Sequence, residues 1–150
     1  MNQDFVDLLR AFSDHEVEAI IVGAHALAAH GYVRATKDLD VWIRPSRENA
    51  ARSYRALAAF GAPVTDLKEE DLATPGTVFQ IGVAPVRIDV ITDIDGVTFD
   101  EAWAQRVAAS FGGVPTHVLS RSLLIQNKRA SGRLQDLADI ERLERGSGDE

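Results

Sequence analysis

The chain has no cysteine. That excludes disulfides, thiolate metal sites and a cysteine nucleophile, and leaves any metal to Asp, Glu or His. Such a donor set favours a hard cation such as Mg²⁺. No apolar run approaches the ~20 residues of a membrane span, and the opening MNQDFVDLLR carries acids where a secretion signal carries basic residues. The expectation is a cytoplasmic protein with no membrane partner. An excess of basic residues is missing too. The formal charge is −7, the wrong sign for broad, nonspecific nucleic-acid binding, which draws on counterion release from phosphates. Repeats, linkers and low-complexity segments are also lacking.

What remains is an ordinary globular composition, 45% hydrophobic and 26% charged, at a length that suits one domain over residues 1–150. The charge is uneven. Residues 1–120 carry a net −7, whereas 121–145 carry +2, so a basic patch near the C-terminus can meet a phosphate in an acidic protein.

Hydrophobic spacing sets the expected elements. Phe5, Leu8, Leu9 and Phe12 fall on one helical face, so a helix runs over about 3–14. A strand over 18–22 ends at Gly23, a short helix covers 24–29, and a second strand covers 38–43. Ser46 caps a helix to about Phe60, which Gly61 closes. Residues 63–76 read as a loop with one helical turn, and strands over 77–83 and 86–92 form a hairpin through Ala84 and Pro85. Asp95-Gly96 is a turn. A helix is expected over 99–110, broken by Gly112-Gly113, then an edge strand over 115–119. Helices over 120–131 and 134–145 pack on the domain, the last through Leu134, Leu137, Ala138 and Ile140. Trp42 and Trp103 are expected core anchors.

Three acids sit where apolar strands would otherwise be uninterrupted. Side chains alternate along a strand, so Asp38 and Asp40 project from one face. Two like charges there call for a cation between them. Asp89 lies inside VRIDVIT, and an unpaired buried carboxylate costs several kcal/mol. If its strand neighbours that of Asp38 and Asp40, three carboxylates converge, an arrangement suited to two divalent cations and in-line phosphoryl displacement.

Gly23 after a strand, Asp38 and Asp40 on the next and Asp89 on a later one together resemble the DNA polymerase beta-like nucleotidyltransferase superfamily. The segment LLIQNKRASGRLQDLADIERL, with Lys128, Arg133, Asp136 and Asp139, resembles its small bacterial members related to abortive-infection toxins of toxin–antitoxin systems. The resemblance implies an α/β (α+β) nucleotidyltransferase fold, a small mixed sheet flanked by helices. It implies transfer of a nucleoside monophosphate from a nucleoside triphosphate such as ATP to an acceptor hydroxyl on RNA or protein, with two Mg²⁺ ions and a cognate toxin or antitoxin as candidate partner. Asp38, Asp40 and Asp89 would be the metal-binding catalytic acids, with Asp89 also helping to deprotonate the acceptor. The turn at Gly23-Ala24 would receive the triphosphate, and His25, Arg34, Lys37, Lys128 and Arg133 are the further candidates to meet the nucleotide, with a structural role for His25 and solvated loop positions for Arg34 and Lys37 as equal alternatives. Ala24 departs from the pattern, since Gly or Ser commonly stands there and Ala offers a phosphate only its backbone N–H.

Simpler roles stand beside these. Asp38 and Asp40 also suit a solvated strand face, Asp89 a partner for Arg87 or Lys128, and Lys128 and Arg133 an ion-pair role with Asp136 and Asp139. Asp93 and Asp95 read as turn acids. A catalytically silent nucleotide-binding or protein-interaction module of the same fold is the alternative function. A small-molecule resistance nucleotidyltransferase is a third, and requires a roomy acidic pocket.

Overall fold

The computed structural model of the chain describes residues 2–32, 38–83 and 86–148. Its helices are α1 (Gln3–Asp14), α2 (Gly23–Ala29), α3 (Arg47–Phe60), α4 (Phe99–Ala104), α5 (Arg121–Ser131) and α6 (Leu134–Gly148), with a 3₁₀ turn at Glu69–Ala73. Its strands are β1 (Ala19–Val22), β2 (Asp38–Ile43), β3 (Val78–Val83), β4 (Val86–Ile91), β5 (Val107–Phe111) and β6 (Val114–Val118). They form one mixed sheet in the order β3-β4-β2-β1-β6-β5. The expected small mixed sheet flanked by helices is therefore present.

Local chemistry sets the element ends. Asn2 caps α1 by accepting from the Asp4 N–H at 2.8 Å, and Ser46 caps α3 by accepting from the Asn49 N–H at 3.2 Å. Asn49, buried on α3, accepts from the Glu18 N–H and donates to the carbonyls of Glu18 and Arg44. One side-chain amide thus ties together the start of β1 and the end of β2.

The strand alternation divides the core. Leu39, Val41 and Ile43 on β2, with Ile88 and Val90 on β4, face α1 and α3 and pack with Phe5, Leu8, Phe12 and Leu57. Trp42, Ile20 and Val22 face the other way, onto Leu27, Phe99, Leu123, Leu124 and Leu143 from α2, α4, α5 and α6. Asp38 and Asp40 share the Trp42 face, so they look toward α5 and α6.

Two expectations fail in the C-terminal third. The helix expected over 99–110 ends at Ala104, and Val107–Phe111 is a strand paired antiparallel with β6. The Gly112-Gly113 pair, at φ 57° and 83°, is the positive-φ turn of a β-hairpin, a geometry that glycine adopts without steric cost. It joins two strands where a helix break was expected, and it makes β5 the edge strand in place of β6. The apolar stripe assigned to α6 is also rotated. Leu134 is 86% exposed and Leu137 51% exposed, while Asp136, Asp139, Ile140 and Leu143 face inward. Buried ion pairing outweighs two leucines in setting the helix's rotation. The expected hairpin connection at Ala84 and Pro85 lies outside the described residues.

Candidate active site

The site is assembled by strand register. β2 and β4 run parallel and adjacent, with Asp40 opposite Asp89 and Asp38 opposite Arg87. Since side chains at paired positions leave the same face, Asp38, Asp40 and Asp89 share one side of the sheet. The strand of Asp89 neighbours that of Asp38 and Asp40, the condition on which the third acid joins their face.

The crowding has an electrostatic signature. The Asp40 carboxyl is pushed up to about 6, first by burial, then by the charges of Asp89 and Asp38, with Arg87 and Arg133 pulling weakly the other way. Arg87 supplies the nearest compensation to its two neighbours. Its Nη2 donates to Asp38 Oδ2 at 3.3 Å and to Asp89 Oδ2 at 3.2 Å, and its Nε lies 3.1 Å from Asp89 Oδ1.

Gly23 brings the turn after β1 against these acids. It sits at φ 70°, and a Cβ there would lie 2.5 Å from Asp40 Oδ2. Both the left-handed backbone and the close approach require glycine. Gly23→Ala is expected to cost about 1–2 kcal/mol of stability from backbone strain and to push the Asp40 carboxylate out of place. Chemical denaturation would register the first effect and a nucleotide-binding titration the second.

A cleft of about 380 Å³ opens over this face, lined among others by Gly23, Ala24, Asp38, Asp40, Lys128 and Arg133. Asp93, Asp95 and Asp136 line it too, so Asp93 and Asp95 are rim acids as well as turn acids. Their loop is held by α5. The Asn127 amide donates to the Asp95 carbonyl at 2.9 Å and the Gln126 amide to the Gly96 carbonyl at 2.7 Å, and Ser131 donates to Asp95 Oδ2 at 3.0 Å.

Lys128 reaches the cleft from a buried position. Its Nζ lies 2.9 Å from Asp139 Oδ2 and 3.5 Å from Asp136 Oδ1, and all three residues are at most 5% exposed. Arg133 donates to Asp136 from the exposed side at 2.7 Å. Burial opposes ionisation of Asp136, but the Arg133 hydrogen bond and the charges of Arg133 and Lys128 outweigh it and hold that carboxyl below its usual range. The ion-pair role weighed for Lys128 and Arg133 is thus present alongside their place in the cleft.

The remaining expectations divide. His25 packs edge-on to Phe5 and Phe111 at ring distances of 5.5 and 6.5 Å. Burial lowers its pKa, partly offset by a hydrogen bond to the Asp38 main chain. Its ring thus packs against α1 and β5 while reaching the main chain of Asp38 beside the acids. Arg34 and Lys37 lie outside the described residues. Arg87 was visible in sequence only as a possible mate for Asp89, although the two-residue spacing already placed both on one face.

The carboxylate set has the chemistry of a hard-cation site: oxygen donors only, on rigid adjacent strands, with more negative charge than Arg87 offsets. As they stand, no three Asp, Glu or His side chains among the described residues close on a single point. Arg87 lies across two of them instead.

No protein-family model and no curated protein matches this chain. Solved structures do. A candidate nucleotidyltransferase from Thermotoga maritima superposes with a TM-score of 0.59 at 14% identity, covering 97% of this chain and 91% of that one. The fold is that of the nucleotidyltransferases. The antibiotic-resistance factor ANT(2″)-Ia shares the nucleotidyltransferase fold over 94% of this chain and 80% of its own, with a TM-score of 0.59 and 16% identity. A crystal structure of ANT(2″)-Ia with adenylyl-2″-tobramycin gives 0.56 and 15%, covering 95% and 87%.

Proposed function

We propose that this protein is a metal-dependent nucleotidyltransferase, moving a nucleoside monophosphate from a nucleoside triphosphate to an acceptor hydroxyl. The observation that carries the reading is the register of Asp40 against Asp89, with Asp38 on the same face and the Gly23 turn pressed onto Asp40. A sheet gains no stability from adjacent, crowded carboxylates, so the arrangement has its rationale in a ligand.

Asp38, Asp40 and Asp89 would hold divalent cations of the Mg²⁺ type. Such ions would offset the charge of the triphosphate and of the phosphoryl group as it transfers. The turn at Gly23-Ala24 brings backbone close to the acids, where the phosphates would lie. Asp89 accepts the proton of the acceptor hydroxyl, whose oxygen forms the new bond to the α-phosphorus as the bond to the β-phosphate bridge breaks and pyrophosphate leaves. Lys128 and Arg133 line the same cleft and add positive charge toward the leaving phosphates.

The cleft also bears on the acceptor. Asp93 and Asp95 add negative charge at the rim beyond what the metal site requires. That favours a cationic, hydroxyl-bearing small molecule over an RNA, whose phosphates an acidic rim repels. The molecule in complex with ANT(2″)-Ia, adenylyl-2″-tobramycin, carries an adenylyl group on a molecule of this class.

The deciding experiment incubates the protein with each labelled nucleoside triphosphate and Mg²⁺, offering amino-sugars, total RNA or protein lysate as acceptor. Label is expected on the cationic acceptor and is lost in Asp89→Asn. Label on RNA instead would return the acceptor to the macromolecular class. No transfer to any acceptor, with nucleotide binding unchanged in Asp89→Asn, would establish the silent binding module.

A further inference from the structure

On the α1 and α3 side of the sheet, opposite the face that carries Asp38 and Asp40, a groove of about 500 Å³ runs along α1 and past the end of α3. Its floor is apolar, formed by Ala11 of α1, Ala59 and Phe60 of α3 and Ile81 of β3. Small side chains at such a floor let a second backbone come close. Its wall is acidic. Asp4, Asp7, Ala11 and Asp14 follow one another at steps of three, four and three residues, the stripe that one helix presents to another. The stripe borders the buried face of Phe5, Leu8, Leu9 and Phe12 without joining it.

The charges of this wall work against the helix that carries them. Asp4 and Asp7 are like-charged neighbours one turn apart. Asp14 lies in the last turn of α1, where the helix dipole favours a cation. Neither α1 nor α3 has a basic residue in its last turn, and both helices end on the groove, at Asp14-His15 and at Phe60-Gly61. Among the described residues none of the three aspartates forms an ion pair. Arg10 lines the groove as well, which leaves three carboxylates to one guanidinium. Local choices that oppose the fold without compensation mark a surface shaped by something outside it.

An acidic wall over an apolar floor is complementary to an amphipathic helix with basic flanks. We propose that this groove docks such a helix from a partner protein. Its apolar residues lie against Ala11, Ala59, Phe60 and Ile81, and its lysines or arginines meet the three aspartates and the two helix ends. The acid cleft on the other face stays open, so partner and nucleotide can be bound together. The inference is independent of the nucleotidyltransferase reading.

The test uses a synthetic helical peptide of about 15–20 residues, leucines on one face and lysines on its flanks, beside a scrambled peptide of the same composition. With the helical peptide, NMR amide shifts are expected at Ala11, Ala59 and Phe60; the scrambled one should not produce them. The combined Asp4→Asn, Asp7→Asn, Asp14→Asn variant is expected to bind on the order of tenfold more weakly at low salt. About 1 M salt should close most of that gap. Ala59→Trp fills the groove from an exposed position without changing charge. It is expected to block the peptide and serves if the triple variant does not fold. Asp14→Asn alone is expected to raise the melting temperature by about 1–3 °C, since it removes an anion from a helix C-terminus. Shifts confined to the acid cleft, equal binding of the scrambled peptide, or full affinity in either variant overturns the proposal. So does a peptide that fails to bind, or a fall in stability on Asp14→Asn, which would return that carboxylate to the fold. Nucleotidyl transfer is read separately by the labelling experiment, and either result can fail while the other holds.

Discussion

Asparagine at position 40 is expected to abolish the proposed nucleotidyl transfer while stabilising the folded protein. If the proposed cations carry the transfer, removing a charge from the centre of the acid set should lower the rate on the order of 10³-fold or more, since metal-borne charge stabilisation is worth several kcal/mol. The stability effect follows from the Asp40 carboxyl, pushed up to about 6 from an ordinary 3.8 by burial and by Asp89 and Asp38. A raised carboxyl means that the folded state binds more protons than the unfolded one between those values. Metal-free stability therefore falls as pH rises from about 4 to about 6, and the penalty is fully present above that window. Allowing for solvent screening, it amounts to about 2 kcal/mol. Thermal denaturation in chelator should show Asp40→Asn several degrees above wild type at pH 7.5, with the two curves converging near pH 4. No gain at neutral pH would remove carboxylate crowding as the account of the site.

Asp139→Ala should have the largest purely structural effect. Lys128 is 5% exposed and Asp139 2% exposed, and their 2.9 Å contact is supported by the Gln135 amide on the other Asp139 oxygen at 3.1 Å. Removing one member of a buried ion pair typically costs about 3–5 kcal/mol, because the remaining charge stays buried with less compensation. That is a large share of the roughly 5–15 kcal/mol that holds an ordinary domain folded. Urea denaturation would measure it. The double variant Lys128→Met, Asp139→Leu should recover much of the loss, whereas a small effect of Asp139→Ala alone would mean that Asp136 suffices to hold Lys128.

The sheet-forming half of the chain was legible because its signals are local. Strand alternation at Asp38, Leu39, Asp40 and Val41, the glycine at 23 and the cap at Ser46 each restrict the backbone within a few residues. The acid triad was legible for a different reason, since Asp89 among β-branched neighbours is costly without a partner. The adjacency of β2 and β4 was a condition there, which the parallel register meets. The failures have physical causes. Residues 107–110, Val-Ala-Ala-Ser, carry small side chains with no decisive periodicity, so only the hairpin at Gly112-Gly113 distinguishes strand from helix. In α6 the leucines implied one face, but the buried Lys128 on the preceding helix demanded Asp136 and Asp139, and no periodicity within α6 reveals a charge on α5.

The parallel pairing of β2 with β4 also governs when the site comes into being. Asp38 and Arg87 are 49 residues apart, and parallel neighbours cannot be joined by a tight turn, so their meeting waits on closure of a long loop. Contacts of such separation form slowly relative to the local helices and hairpins on either side. Until then Asp38 and Asp40 have neither Arg87 nor Asp89 beside them. A chain interrupted before β4 would carry two of the three acids and no assembled acid set, so the proposed cation site would come into being only with the closing of the sheet and would serve as a reporter of its completion.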